Sequence, residues 1–381
     1  MDTRLVQQES DVVVVERVVL HRVRVPLREP FRISNGEIME KDAVLVEVKT
    51  AKGLTGWGEA SPMAGSFYSA DTPESVWTTL GKLIPLVLDN SEIEVPRFFE
   101  RLREVEGDPF AKAGLEGALW DAYALARQVP LHQLFGVAAR LVPSGVAIGI
   151  YQTTDELLDR VEHYLGAGYR RVKIKIQPGW DEEPVTAVRA RFPDVSLMVD
   201  ANAAYTINDA QIFRQLDTYG LMMIEQPLAR EAYREAAELQ RELRTPLCAD
   251  ESAESIDALD NLIALEAARI VNIKVQRVGG LSEALQMLAR ARAAGLGCWV
   301  GTMPELGIGS AQGLHLAAHD GFTFPTDIEA SARWYVEDII EPAIEIDAQG
   351  FIHLPGGAGT GFRVNRAQVE RYTIATEEFK L

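Results

Sequence analysis

The chain has 381 residues, 47% hydrophobic and 25% charged, a globular balance that can bury a core without disulfides or a structural metal. Its formal charge of −18 argues against nucleic acid or an anionic membrane surface as partner, and no apolar run is long enough to span a membrane. The charged start lacks a signal-peptide core and the two cysteines, Cys248 and Cys298, lie in apolar runs, so a reducing, cytoplasmic setting is expected.

The first stretch reads as an antiparallel sheet. Val12 to Val25 is rich in β-branched residues, Ala43 to Lys49 alternates apolar and polar, and Gly53 and Gly56 punctuate a turn before Trp57-Gly58-Glu59-Ala60. From about Pro73 to Phe135 the period becomes helical, with Leu115, Ala118, Leu119, Ala122 and Leu125 on one face. After Pro143, short apolar runs begin near Val146, Val172, Leu197, Leu221, Leu247, Ile270, Cys298 and Phe322, mostly about 25 residues apart with amphipathic segments between them. Eight near-equal strand–helix units imply a closed parallel barrel rather than an open sheet. From Glu337 the rhythm is lost, and the glycine-rich stretch 355–361 has no strand-to-helix context, so it reads as a turn and not a phosphate loop. The expected layout is an α+β capping domain over 1–135, a (β/α)7β barrel over 136–336 and a C-terminal return over 337–381.

The informative residues lie at the C-terminal ends of the apolar runs. Lys175, Asp200, Glu225 and Asp250 follow one another at 25-residue intervals, and Lys274 comes 24 residues later. In a barrel these positions share one mouth, where active sites form. Strand alternation puts Lys173 on the face of Lys175, Asn202 on that of Asp200 and Asn272 on that of Lys274, and Glu251 adjoins Asp250. Three carboxylates brought together need a compensating cation, and an all-oxygen set suits Mg²⁺, with Mn²⁺ as a substitute. A lysine is a poor base at its ordinary pKa of about 10.4, but a divalent ion and a second ammonium beside it lower that value. Lys175 and Lys274 can then address the two faces of a carbon next to a substrate carboxylate, with Lys173 supporting them. Such a site also supplies the local positive charge that an anionic substrate needs against the acidic field of the whole chain.

This ordered set resembles the enolase superfamily. The resemblance runs over nearly the whole chain, through Trp57-Gly58-Glu59-Ala60, Lys173-Ile174-Lys175, Asp200-Ala201-Asn202, Glu225-Gln226-Pro227, Asp250-Glu251-Ser252 and Asn272-Ile273-Lys274. Within it the match is to the muconate lactonizing enzyme branch. Lys173 to Asp181, Arg277-Val278-Gly279-Gly280 and Asp327-Ile328-Glu329-Ala330-Ser331 look like the o-succinylbenzoate synthase/N-succinylamino acid racemase group. The resemblance implies Asp200, Glu225 and Asp250 as Mg²⁺ ligands and Lys175 and Lys274 as an acid/base pair acting on a small carboxylate through an enediolate. It also implies that two cap loops set specificity, here Phe31 to Gly36 and Met63 to Tyr68. Phe31, Ser34, Phe67, Tyr68 and the barrel's Met303 are the pocket candidates.

Run seven, Trp299 to Met303, has no histidine, against the mandelate racemase branch. Asp327-x-Glu329 partly echoes the Asp-x-Asp of dipeptide epimerases, so an epimerase or a muconate-type cycloisomerase stays open. A catalytically silent carboxylate binder is the alternative of another class, opposed by the intact lysine pair. The family is often oligomeric, which leaves room for a homo-oligomer. His315 and His319 share a helical face, but they lack the zinc-protease glutamate and lie past the seventh run, so no metal role is expected.

Overall fold

The computed structural model describes residues 12–33, 36–63, 69–88, 92–138 and 140–381. Ser34, Phe67 and Tyr68 lie outside these residues. Strands β1 (Val12–Ile33), β2 (Gly36–Thr50) and β3 (Thr55–Ala60) form an antiparallel meander. Both long strands outrun the sequence expectation, because alternation continues past Pro26 with Phe31 and Ile33 buried. Phe31 is therefore a strand residue and not part of a loop. The helix Pro109–Arg127, capped by Asp108 on the amide of Ala111, packs on this sheet. Gly58 allows the contact: a Cβ there would strike the carbonyl of Gly114. The helical stretch expected over 73–135 is broken into Pro73–Val87, Val95–Glu104, Pro109–Arg127 and Leu131–Leu134.

The second unit is a parallel sheet of β4 (Gly145–Ile148), β5 (Arg171–Lys175), β6 (Ser196–Asp200), β7 (Ile224–Glu225), β8 (Leu247–Ala249), β9 (Ile270–Ile273) and β10 (Gly297–Val300), in chain order. The eighth run forms no ladder of its own, yet it closes the ring. The amides of Thr323 and Asp327 donate to Cys298 and Val300, Thr326 donates to Pro143, and Gly145 donates to Thr326. Its helix is a single turn, Ser331–Trp334.

Alternation divides the strands between two environments. Val172, Ile174, Leu197 and Val199 pack outward under the helices. Met198, Met223, Cys248, Ile270 and Trp299 cluster inside the barrel. Above that apolar plug, the inward positions near the strand ends turn polar. The last strand, β11 (Thr373–Lys380), pairs antiparallel with β1, which brings the chain's end back to the first sheet. Segment 355–361 is irregular, and Gly359, at φ +69°, exchanges backbone hydrogen bonds with Val129 and Leu131.

Candidate active site

Register assembles the site. Lys175 pairs across with Asp200, and Asp200 with Glu225. Asp250 and Lys274 directly follow β8 and β9. The three acid-bearing strands thus lie between the two that carry Lys175 and Lys274. All five side chains are buried, as are Lys173, Asn202, Asn272 and Glu251. Just beyond the acids the backbone turns left-handed, at Asn202 (φ +42°), Ala203 (φ +60°) and Gln226 (φ +37°). Non-glycine residues adopt that conformation only when their surroundings enforce it. Gln226 is held by its side chain: Oε1 accepts from the amides of Asp250 (2.9 Å) and Ser252 (3.1 Å), which ties two strand ends together.

Each acid is held by a cation. Lys175 Nζ lies 2.5 Å from Asp200 Oδ2 and 2.8 Å from Asn202 Oδ1. Lys173 Nζ reaches Glu225 at 3.0 Å and also pairs with Asp327. Lys274 and Arg277 donate to the two oxygens of Asp250 at 2.9 and 2.7 Å. Asn272 Nδ2 donates to Glu225 Oε1 at 2.6 Å, an approach that needs Gly301, where a Cβ would collide with the asparagine.

The acids do not share one electrostatic fate. Burial opposes the charge of Asp250, but Arg277 and Lys274 outweigh it and hold its pKa well below the carboxylate range. Glu225 moves upward because burial, together with Asp200 and Asp250 beside it, exceeds what Lys173 returns. Glu251 is pushed up to about 7 by burial and by the same two aspartates. Lys173 stays protonated far above the usual range: burial works against its charge, and Asp327, Glu225 and Asp200 overcome it.

Among the described residues, no three acidic, histidine or cysteine side chains close tightly enough to enclose an ion in this conformation. The backbone register brings the acids to neighbouring strand ends, and each carboxylate is paired with an ammonium or guanidinium group. The donor set nevertheless fits a hard divalent cation. It is all oxygen, burial and the neighbouring Asp200 and Asp250 disfavour the charge of Glu225, and Asn272 Oδ1 and Glu251 Oε2 are buried without a hydrogen-bond donor.

A cavity of about 40 Å³ adjoins the lysines, lined in part by Phe31, Met63, Thr302, Met303 and Trp334. Two of the pocket candidates, Phe31 and Met303, are at this cavity. Sequence reasoning gave no role to several neighbours of these residues, although Arg333-Trp334-Tyr335 is part of the resemblance. Arg277 showed only as part of a resemblance, and its partner Asp250 is 27 residues away. Arg171, buried below Lys173, bonds Asp327 at 2.7 Å. Arg333 faces Glu329 at 3.3 Å and lies over the ring of Trp334. The Asp250–Arg277 and Arg171–Asp327 pairs leave no local pattern, whereas Glu329 and Arg333 are only four positions apart. His315 stacks on His132 and bonds the Thr360 carbonyl, a structural contact away from the mouth.

Two family models cover most of the chain. The "Mandelate racemase / muconate lactonizing enzyme, N-terminal domain" matches residues 15–136, and the "Enolase C-terminal domain-like" model matches 156–368. The chain belongs to the enolase superfamily. It is an enzyme of that superfamily, whose members use metal-assisted proton abstraction and typically Mg²⁺. An o-succinylbenzoate synthase from Geobacillus kaustophilus is 42% identical over 360 residues, covering 94% of this chain and 96% of the relative. An N-succinylamino acid racemase from Amycolatopsis sp is 42% identical over 346 residues, covering 90% and 93%. A superfamily member from Listeria innocua superposes with a TM-score of 0.91 at 35% identity, over 97% of this chain and 99% of that one. No helix among the described residues is long and apolar enough to cross a membrane.

Proposed function

We propose that this enzyme removes the proton α to a carboxylate, as an o-succinylbenzoate synthase, an N-succinylamino acid racemase or both. The observation that carries this is the row of three buried acids on consecutive strands, bracketed by Lys175 and Lys274. Relatives of both activities, each 42% identical over nearly the full chain, support it. Asp200, Glu225 and Asp250 would hold Mg²⁺, with Mn²⁺ as a substitute, and Asn202, Asn272 and Glu251 would orient them. Bound there, the ion supplies Lewis-acid neutralisation of charge on the substrate carboxylate.

The chain's own groups do the proton work. One of Lys175 and Lys274, as the free amine, takes the α-proton and leaves the substrate as its enediolate. In racemisation the other, as ammonium, returns a proton to the opposite face. In the synthase reaction a lysine ammonium protonates the departing β-hydroxyl, which leaves as water. Lys173, kept protonated by Asp327, Glu225 and Asp200, contributes fixed positive charge for the anionic substrate. The same reading keeps 1–135 as cap, 136–336 as catalytic barrel and 337–381 as return, in a cytoplasmic enzyme.

A dipeptide would need an acidic pair to receive its ammonium. Asp327 is engaged by Arg171 and Lys173, and Glu329 by the amide of Ala147 (2.7 Å) and by Arg333, which weighs against epimerisation. The test is deuterium uptake from D₂O at the α-carbon of N-succinylamino acids with Mg²⁺, followed by proton NMR. Exchange with racemisation is the expected result. Exchange on dipeptides alone would replace the reading with an epimerase, and no exchange on any carboxylate would leave a silent binder.

A further inference from the structure

Lys41, on β2, is a buried lysine outside the row of acids. Its Nζ donates to the carbonyls of Ser61 (2.9 Å), Pro62 (3.1 Å) and Met303 (2.8 Å). An ammonium has three N–H donors in a tetrahedral cone, and here all three are spent on backbone carbonyls. Two of those carbonyls belong to the cap segment that leads into Met63. The third belongs to Met303, in the segment that follows β10. Met63 and Met303 both line the cavity beside Lys175 and Lys274. Lys41 itself does not line it. Buried Glu59 and Glu305 favour its charge electrostatically, although burial still draws its pKa down to about 8.

We propose that Lys41 is a positioning residue that sets the gap between the cap wall at Met63 and the barrel wall at Met303, and with it the size of apolar group the site accepts. The inference rests on the proposed function, since it concerns which acylamino acids that site takes. A side chain without three N–H donors leaves carbonyls on both walls without their shared partner, so the walls lose their common reference. Arginine keeps the positive charge but presents its donors in a planar fork, so it does not reproduce the cone of three bonds.

The experiment compares the wild-type enzyme with K41M and K41R, with Mg²⁺, on N-succinylalanine and N-succinylphenylalanine. KM and kcat for α-proton exchange are read separately. Both variants are expected to lose selectivity between the two substrates by tenfold or more. The change should lie in KM for the large substrate, while kcat for the small one stays within twofold. If K41M does not fold, K41R, which retains the buried charge, decides alone. An equal loss on both substrates, or a loss confined to kcat, would mark Lys41 as merely structural and overturn the inference. Unchanged selectivity in folded variants would overturn it too. Absence of exchange in the wild-type enzyme would instead overturn the proposed function, and this inference with it.

Discussion

The barrel mouth and the seam between cap and barrel bury the same kinds of residue and treat them in opposite ways. At the seam, acids are met chiefly by backbone amides, with the Ser61 hydroxyl also donating to Glu59. Glu59 accepts from the amides of Leu306 and Gly309 and Glu116 from those of Leu281 and Ser282, and where the cap meets the C-terminal return Asp121 accepts from those of Trp57 and Thr360. At the mouth, acids are met by ionisable side chains: Asp200 by Lys175, Glu225 by Lys173, Asp250 by Lys274 and Arg277. A backbone amide is a fixed dipole that cannot leave. An ammonium on a four-carbon stem can leave, exchange a proton, or give way to a metal ion. We expect burial against exchangeable partners, rather than burial of charge alone, to mark a site of proton transfer.

Removing a lysine at the mouth is the sharpest way to break this contrast. Lys274→Ala should lower α-proton exchange by about 10²–10⁴-fold, the range that a positioned acid or base contributes. The protein should stay folded, because Arg277 still holds Asp250. Racemisation at the wild-type rate would show that the lysine is a counter-ion and nothing more.

Metal addition tests the exchangeability of those partners. Mg²⁺ at 100 times its Kd should stabilise the fold by about 2.7 kcal/mol, the gain expected for a ligand bound only to the native state. A thermal melt with and without EDTA reads it. Loss of the fold on chelation would make the ion structural, against a core that packs without it.

The seam should respond in stability and not in rate. Glu116→Ala leaves the amides of Leu281 and Ser282, at the start of the helix Leu281–Ala293, without their acceptor. Each such loss costs about 1–3 kcal/mol. Denaturant unfolding should show it, while kcat for exchange in the folded variant stays near wild type. A large fall in kcat would carry the mouth's chemistry into the seam.

The smallest effect sharpens the contrast through pH. Burial pushes Glu116 up to about 7 from an ordinary 4.5, with Ser282 and Leu281 opposing the shift. Between those values the folded state binds more protons than the unfolded one, so stability falls as pH rises. The contribution is complete below about 4.5 and gone above about 7. From pH 5.5 to 6.5 the wild type should lose up to about 1.4 kcal/mol relative to Glu116→Gln. Parallel pH profiles for the two would contradict the shift.

Much of this was legible in the sequence because it repeats. Strand alternation and the 25-residue interval announced β5 to β9 and placed Lys175, Asp200, Glu225, Asp250 and Lys274 at strand ends. What was not legible depends on contacts without period. The eighth run closes the barrel by a few backbone bonds and not as a ladder. The Lys41 contact to Met303 spans 262 positions, and the Arg171 contact to Asp327 spans 156. Glu59 sat in a motif noticed by resemblance, but its task, accepting amides at the start of the helix Gly307–Ala317, is visible only when both units are folded together.

The most direct measurement is anomalous scattering from a crystal soaked in Mn²⁺. The expected result is one strong peak about 2.1 Å from carboxylate oxygens of Asp200, Glu225 and Asp250, with the Lys175 and Lys274 ammonium groups withdrawn from the acids they now hold. A mouth without a peak, its lysines still seated on Asp200 and Asp250 at saturating Mn²⁺, would show those ion pairs to be permanent and leave the proton-transfer chemistry without its metal.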